Sequence, residues 1–199
     1  MADSTSSGTQ KMSKRQQQTL LFGALGAVGL ILIIIAIYMY QSSRPILTYK
    51  NPALGLAMQY PSDWGKFEDQ PGVVVAFLSP KETNLDSFQE NVNIIVQDLS
   101  ADPVSLKKYT DMAIRQMVAV FKQSIKIEES VPTLWLGQPA HKFVYQGADP
   151  NTPSLNIKMM HIWCIKNNKA YQFTYAALIG SFDRYLPAAE AILNSVTVK

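Results

Sequence analysis

The sequence is poor in the residues that carry chemistry. It has one cysteine, Cys164, and two histidines, His141 and His161. One cysteine cannot close an intramolecular disulfide. Cys164 stands inside an apolar stretch with no helix start or basic neighbourhood to activate a thiol, so it reads as a small core residue. No Cys follows the long apolar run near the start of the chain, which excludes a lipoprotein anchor. There is no Gly-x-Ser-x-Gly elbow, no Gly-x-x-x-x-Gly-Lys loop, no Gly-x-Gly-x-x-Gly, no His-Glu-x-x-His and no Cys-x-x-Cys. A clustered basic face is missing too. Net charge is +3, and most of it comes from Lys11, Lys14 and Arg15 near the start, so nucleic acid is not an expected partner. The sequence assigns no catalytic, cofactor-binding or metal-ligating residue.

What is present begins with Leu20–Tyr40, an uncharged apolar run. At about 1.5 Å per residue a helix of this length spans roughly 30 Å, the thickness of a bilayer's hydrocarbon core. A cleaved signal peptide has a shorter apolar core and a small-x-small cleavage site, and the residues after Tyr38 offer none. We therefore expect an uncleaved transmembrane helix over 19–41, with Tyr38 and Tyr40 in the interfacial aromatic belt. Gly23, Gly26, Ala27 and Gly29 would let another helix approach closely. Residues 1–18 are rich in Ser, Thr and Gln, lack apolar periodicity and read as a disordered tail. Its three basic residues, against Arg44 and Lys50 on the far flank, favour a cytoplasmic N-terminus. Residues 42–45 form a short linker. The 46–199 domain then lies outside the cytoplasm, in periplasm, lumen or cell exterior, and the protein is a single-pass membrane protein.

The domain reads as strands, a helix, strands and a helix. Ile46–Lys50, Leu56–Tyr60, Val73–Leu78 and Asn91–Asp98 are extended, with Val92, Ile94 and Val96 on one face. Lys81–Glu90 is a polar loop. Ser105–Gln123 is a helix whose buried stripe is Leu106, Tyr109, Ala113, Met117, Val120 and Phe121. Asp111 and Arg115 are spaced to pair on its outer side. Ile125–Val131 and Gln138–Gln146 are strands around a turn region holding Pro132 and Gly137. Leu155–Lys166 and Lys169–Ala177 form a hairpin about Asn167-Asn168, since asparagine tolerates the positive φ of a two-residue turn. That register sets Cys164 opposite Tyr171, Ile162 opposite Phe173 and Met160 opposite Tyr175. Met159, His161 and Trp163 line the other face. Both faces are apolar, so both need cover. Ser181 is a candidate N-cap for a last helix to about Asn194, with a short first turn and a restart at Pro187. Ser195–Val198 closes the chain as an extended piece. The fold class is α+β, a central antiparallel β-sheet flanked by helices.

Three constellations have two readings each. His141 and His161 lie on strands and with a nearby carboxylate could hold a metal, or His161 packs beside Trp163 and His141 is a surface residue. Trp64, Trp135 and Trp163 with Tyr60, Tyr145 and Tyr171 could line a pocket, or build the core. Glu128 and Glu129 are adjacent on a strand, so they should point to opposite faces and make a poor acid/base pair.

Several segments carry a family resemblance: Tyr49-Lys50-Asn51 leading to Gly55-Leu56, then Tyr60-Pro61-Ser62-Asp63-Trp64, Val75-Ala76-Phe77-Leu78-Ser79-Pro80, Asn91-Val92-Asn93-Ile94, Phe182-Asp183-Arg184-Tyr185-Leu186-Pro187 and Ile192-Leu193-Asn194-Ser195-Val196. In this order they resemble the PsbP-like superfamily over Ile46–Lys199. The Tyr-Pro-x-x-Trp turn and the closing Ile-x-x-Ser-apolar helix end are the most specific parts. The resemblance implies an α/β/α sandwich and a non-enzymatic accessory or binding module without a cofactor. The name-giving members assist the oxygen-evolving side of photosystem II in the thylakoid lumen. This chain differs from them by its membrane span, and no metal or photosystem-contact residue matches a position here. It resembles instead a membrane-anchored prokaryotic PsbP-domain protein. The expected partners are the membrane and a membrane protein complex, with a small apolar or lipidic ligand as the alternative.

Overall fold

The computed structural model describes Leu32 and residues 45–199. The tail at 1–18, the transmembrane helix at 19–41 and the linker at 42–45 lie outside the described residues, apart from Leu32 and Pro45. Among the described residues no helix is long and apolar enough to cross a membrane.

The domain is built on one hairpin, β8 (Asn156–Lys166) and β9 (Lys169–Leu178). Its turn takes positive φ at both central residues, 51° at Asn167 and 56° at Asn168, which asparagine adopts at low steric cost. The register is the expected one: Cys164 faces Tyr171, Ile162 faces Phe173 and Met160 faces Tyr175. Those six side chains are buried together on one face. Ile157 and Trp163 are buried on the other.

Strands add on both sides. β5 (Asn91–Asp98) pairs with β9, and β4 (Val75–Leu78) and β3 (Gly65–Phe67) follow outward. β7 (Gln138–Ala148) pairs with β8, and β6 (Lys126–Trp135) is the outer strand beyond it. The seven strands run β3-β4-β5-β9-β8-β7-β6, with every neighbouring pair antiparallel. Pro132, expected in a turn, sits inside β6 opposite His141. A proline that cannot donate is tolerated there because β6 has a neighbour on one side only. The turn itself is Leu136-Gly137, at φ 54° and 70°. Leu136 is an unusual residue for that conformation, and its side chain packs against the larger core cluster in compensation.

A second sheet was not foreseen. β1 (Ile46–Asn51), β2 (Leu56–Pro61) and β10 (Thr197–Val198) form a separate three-stranded sheet in the order β1-β2-β10. It shares one face of the large sheet with the last helix, α2 (Phe182–Ser195), which buries Phe182, Ala189, Ile192 and Leu193. Trp135 fastens this layer by donating its Nε1–H to the Leu193 carbonyl at 3.3 Å. α2 runs through Pro187 without the expected restart. Only the bond to the Asp183 carbonyl is forfeited, close to the helix start where little is lost. Ser181 does not cap α2 with its side chain. Its hydroxyl donates instead to the buried Glu90 carboxylate and lies 3.2 Å from the Leu178 carbonyl.

The opposite face carries α1 (Leu106–Phe121). Ser105 caps it by accepting from the Lys108 N–H at 3.2 Å. Leu106, Tyr109, Ala113, Met117 and Phe121 pack inward as expected, joined by Ile114. Val120 does not: it is 52% exposed. By angle it belongs to the stripe beside Tyr109 and Ala113, but the sheet beneath it is uncovered there. Asp111 pairs with Lys107, one turn earlier, at 2.7 Å and not with Arg115. Trp163 Nε1 donates to Thr110 Oγ1 at 2.8 Å and ties α1 to the sheet.

Gly147 in β7 is what lets the end of α1 come down. A Cβ there would lie 2.9 Å from Phe121 Cδ1 and 3.0 Å from the Ser124 carbonyl oxygen. Gly147→Ala is expected to destabilise the domain by about 1–3 kcal/mol in urea unfolding, the usual range for overpacking. Gly180→Ala, where a Cβ meets nothing within 4 Å, should change the midpoint little.

Candidate functional site

α1 crosses the β7–β8 side of the large sheet, and the β5–β9 side of the same face is left to a loop. That loop, residues 99–105, leads from β5 into α1. It is held by hydrogen bonds: Leu99 N–H to the Asn168 carbonyl at 2.8 Å, Ser100 N–H to Asp98 Oδ1 at 2.8 Å, and Asp102 N–H to the Leu99 carbonyl at 3.2 Å. Between loop, helix and strands runs a groove of about 610 Å³. Leu99 and Val104 of the loop line one side and Met112, Met117 and Val120 of α1 the other, with Ile95 on the sheet beside Gln172. Met112 and Val120 are half exposed on its rim. Tyr145 and Gln172 lie in its floor, and Asp98 and Asp102 stand at its lip. The hydrogen bonds from Ser100, with the nearby Lys169 charge, hold the Asp98 carboxyl below its ordinary pKa.

Beneath the floor is a polar network centred on His161, which is 5% exposed. Its Nε2 lies 3.2 Å from the Tyr145 hydroxyl. Its Nδ1 lies 3.0 Å from Thr174 Oγ1 and 3.3 Å from Gln172 Nε2. One tautomer satisfies every contact. Nε2–H donates to the Tyr145 oxygen, Tyr145 O–H donates to Met159 Sδ at 3.2 Å, and Nδ1 accepts from Thr174 and Gln172. The rings of Tyr145 and His161 are stacked, 5.6 Å apart and 4° from parallel. Burial pushes the His161 pKa down to about 3, so the ring is neutral at physiological pH. The same burial pushes the Tyr145 phenol well above its usual value.

The histidine pair is thus split by role. His141 stacks on Trp163 at 5.4 Å, and its Nε2 lies 3.0 Å from Ser130 Oγ. His161 contacts the same Trp163 at 6.4 Å but spends both nitrogens on the network. No carboxylate joins them, and among the described residues no group of three His, Cys, Asp or Glu could hold a metal ion. Trp64, Trp135, Trp163, Tyr60, Tyr145 and Tyr171 are all buried in the two core clusters or beside them. Only Tyr145 among them lines the groove. Cys164 is fully buried and its pKa is raised to about 11 by burial, which leaves an inert thiol.

On the α2 side the structure corrects the reading of Glu128 and Glu129. A β-bulge between Ile127 and Glu129 breaks the alternation of β6. Two residues then oppose Val144, and both carboxylates turn to one cleft of about 350 Å³. Each is paired, Glu128 with Lys158 and Glu129 with Lys142, both at 2.8 Å. Lys158 also lies 4.5 Å over the Phe182 ring. A pair of carboxylates already neutralised by lysines is a structural ion-pair cleft. The groove beside α1, which no single motif marked, is the better candidate site.

No protein-family model matches the chain, and no curated protein matches it. Solved structures do. The cyanobacterial PsbP, CyanoP, of Synechocystis sp. PCC 6803 matches with a TM-score of 0.56 at 14% identity, over 77% of this chain and 92% of its own. LpqN of Mycobacterium tuberculosis, described as involved in cell envelope biogenesis, matches with a TM-score of 0.57 at 12% identity, over 83% and 96%. The Ran-binding protein Mog1p of Saccharomyces cerevisiae matches with a TM-score of 0.53 at 6% identity, over 78% and 96%. The described domain has the PsbP-like fold. At these identities the likeness concerns the fold.

The His161 network has a pH signature. The folded pKa, about 3, lies below the ordinary 6.5, so the unfolded chain takes up the proton first. Stability from this group is full above pH 6.5 and falls as the pH drops toward 3, by at most about 1.4 kcal/mol per pH unit. His161→Gln should be less stable at pH 7 and show a flatter decline between pH 6.5 and 5 in urea unfolding. In the native protein the His161 ring resonances should not titrate above pH 4. A His161 midpoint near 6.5 would contradict the buried neutral ring.

Proposed function

We propose that the chain is a non-enzymatic binding module, held at a membrane by residues 19–41 with its 46–199 domain outside the cytoplasm, that supports the assembly or stability of a membrane protein complex. The observation that carries this reading is an uncovered apolar surface over a filled core. Met112 and Val120 stand 50% and 52% exposed on the rim of the groove, while the side chains beneath, Phe143, Tyr145 and Trp163, are 0–1% exposed. The domain itself has no further element to lay over that rim. Exposed apolar side chains beside a groove are the usual mark of a surface that meets another molecule. The histidine nearest the groove is neutral and fully engaged, which favours recognition over catalysis. A tether of this kind raises the effective concentration near membrane partners to the order of mM, so a modest groove affinity suffices.

A second reading has its own support. About 610 Å³ falls within the roughly 300–1,000 Å³ typical of small-molecule sites, and a few polar groups converge on an otherwise apolar lining. The module then carries or senses a small apolar or lipidic ligand.

The two readings part in one experiment. The tagged full-length chain, extracted in mild detergent, is expected to migrate as an assembly much larger than 22.2 kDa. The double variant Met112→Glu/Val120→Glu should release it as a single chain with unchanged far-ultraviolet circular dichroism. Migration of the wild type alone, with a lipid retained, would remove the assembly reading and leave the second.

A further inference from the structure

The charged groups of the groove have one sign, beside the neutral polar side chains of Gln97, Gln116 and Tyr109. Among the described residues that line it, Asp98 and Asp102 are the charged ones, and no Lys, Arg or His stands with them. Asp98 is the last residue of β5 and Asp102 lies four residues on, in the loop that leads into α1, and both are exposed. Asp98 stays ionised because the Ser100 hydrogen bonds favour its charged form. The floor adds a neutral acceptor. Gln172 turns its Nε2 into the buried network, toward His161 and Thr174, which leaves its carbonyl oxygen as the amide's free corner. With His161 Nδ1 as the acceptor, that orientation lets Gln172 donate to it. The wall that α1 contributes is mainly apolar, with Met112, Met117 and Val120 beside Gln116.

From this lining we infer that the groove takes a small cationic amphiphile, an apolar body with an ammonium or similar cation at one end. The apolar body lies between α1 and the sheet against the two methionines, whose flexible thioethers adapt to its shape. The cation sits at the lip between Asp98 and Asp102. An anionic head would meet two carboxylates and no compensating cation in the lining; Lys169, whose charge is felt by Asp98 from outside the groove, softens that repulsion without reversing it. A groove of this volume accommodates one such molecule. The inference rests on the ligand reading of the groove and names the class of ligand.

The test uses a matched set of eight-carbon probes on the full-length chain in nanodiscs: octyltrimethylammonium, 1-octanol and octanoate. The readout is the methyl signals of ¹³C-labelled methionine. Met112 and Met117 report the groove, and the buried Met58 and Met160 serve as internal controls. Octyltrimethylammonium is expected to shift Met112 and Met117 at concentrations about three- to tenfold lower than 1-octanol, with octanoate weaker still. Asp98→Asn/Asp102→Asn should erase the advantage of the cation and leave 1-octanol unchanged. Asparagine at 98 can still accept from the Ser100 N–H, so the loop is kept. Lys169→Gln, outside the groove lining, should widen the preference for the cation. Equal response to all three probes in the wild type, or a cation preference that survives the double substitution, overturns the inference while groove binding stands. If no probe moves Met112 or Met117, the ligand reading itself falls and the inference with it.

Discussion

The structure depends on a sheet that is apolar on both faces. In the central hairpin, Met160, Ile162 and Cys164 point one way, and Ile157, His161 and Trp163 point the other; all are buried. A strand whose two faces are both apolar is not stable in contact with water on either. Leaving one large side chain exposed forfeits roughly 1.5–3 kcal/mol. Two covering layers are therefore required, and the chain supplies them from its remaining segments. One layer is α2 with the three-stranded sheet, closed by the Trp135 bond to the Leu193 carbonyl. The other is α1 alone, fixed by the Trp163 bond to Thr110 and admitted at its end by Gly147.

The two covers are unequal, and the groove follows from that inequality. Seven strands spaced about 4.8 Å apart make a surface some 30 Å wide. A helix with its side chains is about 10–12 Å across. α1 therefore covers only part of its face, and it lies toward β7, where Phe143 and Tyr145 meet Phe121. The strip over β5 and β9 is left to the 99–105 loop, which is too thin to fill it. Where the cover ends, the sheet's side chains change character: Gln97 and Gln172 replace the aromatic residues of β7 and β8 along the same face. Val120 marks the edge, inward by helical angle and exposed in fact.

This account also explains which parts were legible in the sequence. The β8–β9 hairpin, its Asn-Asn turn and its register were readable because a two-residue turn and period-2 alternation are local and rigid constraints. The bounds of β5 and the inward residues of α1 up to Met117 came from the same kind of signal. Local reading failed wherever a distant segment decided the outcome. Ile46–Lys50 and Leu56–Tyr60 were recognisable as strands, but nothing in them says that they leave the large sheet to pair with Thr197–Val198. The bulge at Glu128 inserts one residue without changing composition, so adjacency on a strand predicted opposite faces and the fold put both carboxylates on one. Pro132 was read as a turn because its tolerance depends on β6 being the outer strand, which is a property of the sheet order. The groove was invisible for the same reason, since a missing cover leaves no motif.

The buried histidine is best understood as part of the groove. A neutral imidazole with a pKa pushed to about 3 is an expensive way to fill a position that an apolar side chain could fill. Its neighbours offset that expense by satisfying both nitrogens, and the arrangement has a consequence an apolar residue could not provide. With Nε2–H given to Tyr145 and Nδ1 accepting, the Gln172 amide nitrogen turned inward completes the network. A surface glutamine otherwise rotates freely, and its two ends offer opposite hydrogen-bonding character. Here the floor of the groove carries the Gln172 amide, hydrogen-bonded from below, while the walls carry two methionines that can rearrange. A polar floor under adaptable apolar walls would discriminate the head of the proposed ligand more strictly than its body. For the ligand proposed above, His161 would act without touching it, through its contact with the Gln172 amide.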